Sequence, residues 1–498
     1  MKKSAVSVLI LASMLLTLTV SCANENDTGS GTTKVSDGTE TSAPAPESPF
    51  VDDNLPSDLD LGGAEVKIMV GDYNNAYIDD MYSAEETGNR LGDAVYKTIH
   101  SVQERLNVSL VYNWQTYTWA ELSGFQSKIT SGIMAGDNEF DILFDVMNYA
   151  AQMQEGEYFV NLADVKYIDL DKPWYNQTVR GNMPTDYIYF LSGQFSLANV
   201  KNVFAIYYNA DLYESLGKTE DLYALVDSGK WTLDKLEELS KDCYADLNGD
   251  TAADPGDQYG VTFGDNNKYL GFMKAFGVDM FRKTAGGYEF AYDNERAVDA
   301  VTRLCGLVNE NENVLPGKPN ADNPDYMIST GGGNYASKPF VEGKAVFSFG
   351  LIADAAAIVP NIDFSYGLLP YPKWDEAQAD YANMLQRNCY ALMPVTVGDA
   401  DAAGAVLEAL SSESYRTLVP EYCEVSLKTR YSQDDDVSRM FDLIINSIVY
   451  DPGEIFACLL GSPSAMFREA ISKNDPNWAS RLASMKDELI LKMDEITE

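Results

Sequence analysis

The chain has 498 residues, with 76 acidic against 36 basic side chains, a formal net charge of −40 and a single histidine. A field of that sign repels nucleic acid and anionic lipid headgroups, so binding to nucleic acid is disfavoured. One histidine, His100, also leaves no basis for a His-ligated zinc site or a histidine-based catalytic triad.

At the N-terminus Lys2 and Lys3 precede an apolar run over 6–20 and then Ser21-Cys22. This reads as a signal peptide over 1–21, since the run is too short for a comfortable membrane span. Residues 18–22, LTVSC, resemble a bacterial lipobox, which implies that Cys22 is lipidated and becomes the mature N-terminus. An ordinary signal peptide with an incidental cysteine is the alternative. Residues 22–60 are rich in Ser, Thr, Gly, Pro, Asp and Glu, and are predicted to form a disordered acidic tether.

The remainder is 45% hydrophobic by whole-chain composition and long enough for two or three domains with full cores. Strands are predicted over 64–70, 108–112 and 141–144, with helices over 91–106 and 125–135 between them. A strand–helix alternation of this kind argues for an α/β, mainly parallel sheet with ligand-facing loops at the strand ends. An extended run over 195–208 leads into a second alternating block. Its predicted elements are helices over 296–309 and 399–411, a strand over 341–349, an extended run over 364–370 and a helical end over 436–495. Cys243, Cys305, Cys389, Cys423 and Cys458 are odd in number and lack any CxxC spacing, so buried free thiols are expected.

Residues 229–264 stand out. Thr232 is a natural N-cap for a helix carrying Leu233, Leu236 and Leu239. After it, Asp246, Asn248, Asp250, Asp254 and Asp257 occupy positions 1, 3, 5, 9 and 12 of a loop, with the Ala252 carbonyl at position 7. That spacing of oxygens is the one that wraps calcium, and a structural Ca2+ ion is the expectation. Thr251 where the turn prefers Gly, and Asp257 where a Glu would bind through both oxygens, depart from the pattern. A solvated acidic loop held by Asx-turns is the alternative.

Several motifs then occur in a family order: GNRLGDAVY over 88–96 with ERLNV over 104–108, the stretch 137–145 with GEYFVNL over 156–162, and IDLDKPWY over 168–175. They are followed by 229–232 with the acidic loop, FVEGKAVF over 340–347 and YGLLPYPKW over 366–374. In this order they resemble the extracellular solute-binding lipoproteins of the sugar-binding, maltose-binding-protein-like type that serve ABC importers. The resemblance implies a two-lobed, type II periplasmic-binding-protein-like fold that closes about a multi-strand hinge. Lobe 1 would span 61–195 with 371–414, and lobe 2 196–370 with 415–498. Crossings are expected near 195–204, 364–371 and 411–416. The implied partners are a carbohydrate ligand, ABC importer permease subunits and the membrane through the N-terminal lipid, with no catalysis.

A pyranose offers an apolar face and a rim of hydroxyls, so its receptor needs aromatic platforms with polar groups between them. Candidates in predicted loops are Trp114, Trp119, Asp145, Asn148, Trp174 and Tyr175. Asn199 and Asn202 lie in the first crossing, Tyr269 and Phe272 in lobe 2, and Arg430 with Tyr431 near the end. Each aromatic could equally be core. Three other readings stay open at this stage: a peptide or signal receptor of the same fold, a surface glycosidase using two carboxylates, and a calcium-dependent docking module.

Overall fold

The computed structural model describes residues 50–497, except 76, 147–149, 154–157, 185, 320–322, 332–333 and 429–433. In chain order its strands are β1 (Ala64–Tyr73), β2 (Val108–Tyr117), β3 (Ile142–Val146), β4 (Phe190–Ser192), β5 (Phe204–Asn209), β6 (Tyr259–Phe263) and β7 (Phe281–Thr284). There follow β8 (Gly287–Phe290), β9 (Val314–Leu315), β10 (Met327–Gly331), β11 (Asn334–Ser337), β12 (Ala345–Leu351), β13 (Tyr366–Leu369) and β14 (Cys389–Leu392).

They form two five-stranded sheets, ordered β2-β1-β3-β14-β4 and β13-β5-β12-β6-β9, and two hairpins. In the first sheet β1 runs parallel to β2 and β3, while β14 enters antiparallel between β3 and β4. In the second, β12, β6 and β9 are parallel, and β5 is antiparallel to both of its neighbours. Both are therefore α/β sheets of mixed direction. Every residue of β3, β5, β6 and β12 is buried. Continuous apolar runs of this kind belong to strands covered on both faces.

The helix Arg90–Leu106 shows how the sequence produces the layer above the first sheet. Asn89 caps it, accepting hydrogen bonds from Leu91 N and Gly92 N at 3.1 Å. Val95, Ile99, Val102 and Leu106 form its buried stripe. Each such side chain contributes about 1.5–3 kcal/mol on burial. Asn107, in the left-handed conformation at φ 48°, ends it and turns the chain directly into β2.

Two predicted boundaries change. Residues 50–60 of the supposed tether pack on the fold: Leu55 is buried, Phe50 meets Tyr415 edge-on, and Asp53 pairs with Arg105 at 2.7 Å. The polar composition of this segment hid two apolar anchors and a carboxylate with a specific partner. The crossings at 195–204 and 411–416 are not extended either. Ser196 Oγ accepts from Ala198 N and starts a helical turn, Ala198–Lys201. Beyond the helix Ala400–Glu413, the π-helical turn Ser414–Leu418 carries the chain straight into the helix Val419–Ser426, because nothing before Pro420 breaks the run. No helix among the described residues is long and apolar enough to cross a membrane.

Candidate functional site

A cleft of about 260 Å³ lies where the C-terminal ends of β1 and β12 meet the crossings. Strand ends of this kind are where open α/β sheets bind ligands. Past the end of β1, Asn74 and Asn75 adopt left-handed φ values of 55° and 56°, and the Asp72 carboxylate accepts from Tyr77 N at 2.9 Å. The resulting tight turn leads into a short helix, Ile78–Met81, and brings Asn75, Asp79 and Asp80 to the cleft wall. Lys201 and Asn202 come from the first crossing and Arg387 from the segment between β13 and β14. Thr330 and Asn334 come from the β10–β11 hairpin, and Tyr422 and Ser426 from the helix after the third passage.

The polar groups are tied to one another across these elements. Lys201 Nζ donates to Asp80 Oδ1 at 2.5 Å. Asp80 is 3% exposed, and burial raises its carboxyl above the usual range although Lys201 opposes the shift. Its other oxygen, Oδ2, is buried without a partner. An amide chain runs beside it. Gln386 Nε2 donates to Asn334 Oδ1 at 3.1 Å, Asn334 Nδ2 to Asn202 Oδ1 at 3.2 Å, and Asn202 Nδ2 to Ala198 O at 3.1 Å. Gln386 Oε1, at the head of this chain, is also buried and unpartnered. The Arg387 guanidinium lies over the Tyr73 ring, 5.3 Å from its centroid. Thr330 Oγ1 donates to Asp354 Oδ1 at 3.2 Å, and Asp354 in turn sits 3.5 Å from the buried Lys268 Nζ.

Of the residues chosen from sequence that are described, only Asn202 lines this cleft. Asp145 is fully buried beneath the strand ends, where it accepts from Tyr117 Oη at 2.6 Å. Burial pushes its carboxyl up to about 7, with the Tyr117 hydrogen bond pulling the other way. Gly71 makes room for it, since a Cβ there would lie 2.5 Å from Asp145 Oδ1. Trp174 and Tyr175 are core residues, and Tyr175 Oη donates to the buried Glu408 at 2.8 Å. Asn199 is consumed in bracing the crossings: its Nδ2 donates to Gly193 O and Cys389 O, and its Oδ1 accepts from Cys389 N.

Tyr269 and Phe272 are fully buried in the second sheet's core, against Phe263 and Phe349. Trp114 lies within β2 rather than in a loop, 6.0 Å from Tyr112 and 6.2 Å from Tyr82. Trp119 is 63% exposed at the start of a 3-10 turn. Cys22, Asn148, Arg430 and Tyr431 lie outside the described residues. Sequence reading passed over Asn75, Asp80, Lys201, Asn334 and Arg387. The one local signal was the asparagine pair at 74–75, a residue type suited to left-handed turns.

Trp174, Tyr175 and Asn199 do border a second cavity, of about 300 Å³, together with Leu385 and residues 445–449. It is the larger of the two but is walled by the 171–178 segment and the crossings, away from the ends of β1 and β12. The cleft is therefore the better candidate.

In the acidic loop each predicted side-chain ligand accepts from the backbone. Asp246 takes Gly249 N and Thr251 N, Asn248 takes Asp250 N, Asp250 takes Ala252 N, and Asp254 takes Gly256 N. Asp257, fully buried, takes Leu247 N and the Tyr244 hydroxyl. Thr251 holds the left-handed φ of 63° that the turn demands. No group of three or more His, Cys, Asp or Glu side chains converges as a metal site among the described residues. The five cysteines among the described residues carry free thiols, four of them buried.

No protein-family model matches the sequence, and no curated protein matches it. Solved structures do match in fold. The ABC substrate-binding protein Lmo0181 from Listeria monocytogenes, in complex with cycloalternan, is 14% identical with a TM-score of 0.51, over 87% of this chain and 98% of that one. The GacH receptor of Streptomyces glaucescens, solved unliganded and with acarbose, is 13% identical with a TM-score of 0.53, over 86% and 98%. The MalE maltose/maltodextrin-binding domain from Bdellovibrio bacteriovorus, bound to maltotriose, is 13% identical with a TM-score of 0.51, over 86% and 99%. The chain thus has the two-lobed α/β fold of these binding proteins.

Proposed function

We propose, from a fold shared with ABC substrate-binding proteins, that this chain is a receptor that closes on a carbohydrate and hands it to an ABC importer. The observation that carries the reading is the cleft itself. It is lined by amides, hydroxyls and paired charges from both halves of the fold and from the crossings, and one lining residue, Asp80, holds a buried acceptor with no partner inside the protein. Sugar hydroxyls are the complementary groups, and in a closed cleft their hydrogen bonds act in a low dielectric. Fold neighbours solved with cycloalternan, acarbose and maltotriose support the ligand class. No step in this role requires bond cleavage. A thermal-shift screen of residues 50–498 against glycans and oligopeptides tests it: a glycan should raise the melting temperature. A peptide hit with no glycan hit would favour the peptide-receptor reading.

The receptor is placed at the extracellular face of the cytoplasmic membrane, held through lipid on Cys22. The lipobox-like LTVSC and the polar segment behind it support this. Cys22→Ser should leave a folded protein that no longer incorporates fatty acid and partitions into the aqueous phase. A wild-type protein that is itself released unlipidated would refute the anchor.

The loop of Asp246–Asp257 oxygens is proposed to hold a structural Ca2+ ion that secures the connection between the helix Leu233–Ser240 and β6. The sequence spacing of its oxygens and the left-handed turn at Thr251 support it, while the side chains stand bonded to the loop backbone and would have to turn inward to bind. Binding at about a hundred times the dissociation constant would add about 2.7 kcal/mol. A chelator should therefore lower the melting temperature, and Asp250→Ala should abolish that response. Superimposable melting curves with calcium and with chelator would leave only the Asx-turned loop.

A further inference from the structure

The unpartnered groups at the cleft share one chemical character. Asp80 Oδ2 and Gln386 Oε1 are both acceptors, and both are buried. Four donors nearby are engaged within the protein, Lys201 Nζ on Asp80 Oδ1, Asn334 Nδ2 on Asn202, Gln386 Nε2 on Asn334, and Thr330 Oγ1 on Asp354, while Tyr422 and Ser426 add hydroxyls to the wall. The Arg387 guanidinium is stacked on Tyr73. A ligand that brings a hydrogen-bond donor to Asp80 Oδ2 therefore satisfies a buried acceptor that the protein itself leaves open. An unsatisfied buried acceptor costs its full desolvation, so a ligand that brings such a donor is favoured over one that does not.

The carboxylates of the wall act in the same direction, and Arg387 is the cation of the lining that opposes them beside Lys201. Asp79 stands exposed on the cleft wall, Asp72 is buried one turn away, and Asp354 lies behind Thr330. Lys201 is matched by Asp80, and Lys268 lies between Asp265 and Asp354 at 3.7 and 3.5 Å. A carboxylate or sulfate on the ligand would meet Asp79 and the Asp80 oxygen at close range, where like charges cost several kcal/mol across a binding interface.

We infer that Asp80 is the specificity-determining residue of the cleft, admitting sugars that present hydroxyl donors and excluding those that carry anionic groups. This rests on the carbohydrate-receptor reading above. Asp80 holds the position for two reasons: Lys201 fixes one oxygen, and the turn set by Asn74, Asn75 and the Asp72–Tyr77 bond aims the other.

The test uses residues 50–498 and titration calorimetry with neutral hexose oligosaccharides, each also supplied with its primary hydroxyls oxidised to carboxylates. The inference predicts that a neutral oligosaccharide binds and that its oxidised form binds at least tenfold more weakly. Asp80→Asn, which retains an acceptor but removes the charge and offers an NH2 donor, should narrow that ratio to within about threefold. Asp79→Asn, at an exposed position, is the folded control that should reduce it only in part. Equal or tighter binding of the oxidised forms to the wild type would overturn the inference and leave the carbohydrate receptor standing, with Arg387 as the anion-reading group. Binding of neither set would contradict the carbohydrate reading, and the inference with it.

Discussion

Lys274→Met is expected to destabilise the protein by about 3–5 kcal/mol, the cost of removing one partner from a buried ion cluster. Lys274 is 2% exposed in the short helix Gly271–Ala275. It bonds Asp451, reaches Asp279 at 2.9 Å and lies 3.9 Å from Glu454. Burial disfavours its charge, but the three carboxylates more than offset this and hold its pKa above the ordinary lysine value. Burial also pushes the Glu454 carboxyl up to about 8. Methionine preserves most of the stem's volume while leaving Asp451 and Glu454 buried without a cation. Urea denaturation reads the loss directly. A variant that also carries Asp451→Asn and Glu454→Gln should recover part of it, because the stranded charges go too. A loss below about 1 kcal/mol for Lys274→Met alone would show that the cluster is not the buried network its geometry indicates.

Trp174→Ala should behave as a core truncation, costing about 3–5 kcal/mol. The ring is 1% exposed, packed edge-on to Tyr175 at 6.4 Å and tilted against Tyr415 at 5.8 Å, with Lys172 Nζ 5.6 Å from its centroid. Because the cleft is built from other segments, the fraction that remains folded should bind ligand with wild-type affinity. Denaturation and calorimetry on the same preparation separate the two effects. Full stability with lost binding would return Trp174 to the role of a sugar platform.

That contrast shows where sequence reading runs out. Periodicity located the helix Arg90–Leu106 and the strands β1, β2, β3 and β12, because a buried stripe and a covered strand leave a local imprint, while the short β4, β9 and β14 went unread. The order of motifs pointed to the fold for the same reason: each motif is a short, locally determined piece. The cleft has no such imprint. Asp80 and Lys201 are 121 residues apart, and Asn334 meets Asn202 across 132. The aromatics chosen as platforms looked alike in sequence whether they faced a ligand or a core. Tyr269, Phe272 and Trp174 went to the core because helices and crossings not adjacent to them in sequence cover them. Asp145 was picked for ending a strand, and it does so, but Tyr117 from β2 closes over it. The segment before residue 61 failed for the opposite reason: a few specific contacts, Asp53 to Arg105 above all, outweigh a composition typical of a tether.

The most direct test of the account is calorimetric titration of the glycan giving the largest thermal shift into wild type and into an Asn334→Ala/Arg387→Ala double variant. Micromolar binding corresponds to about −8 kcal/mol, of which the two side chains should carry at least about 1.4 kcal/mol, or tenfold. The account predicts micromolar affinity for the wild type, at least a tenfold loss in the variant and a cooperative melting transition for the unliganded variant, lowered by the loss of the Asn334 amide bonds. Equal affinity in the two proteins would contradict it, because the glycan would then bind somewhere other than this cleft.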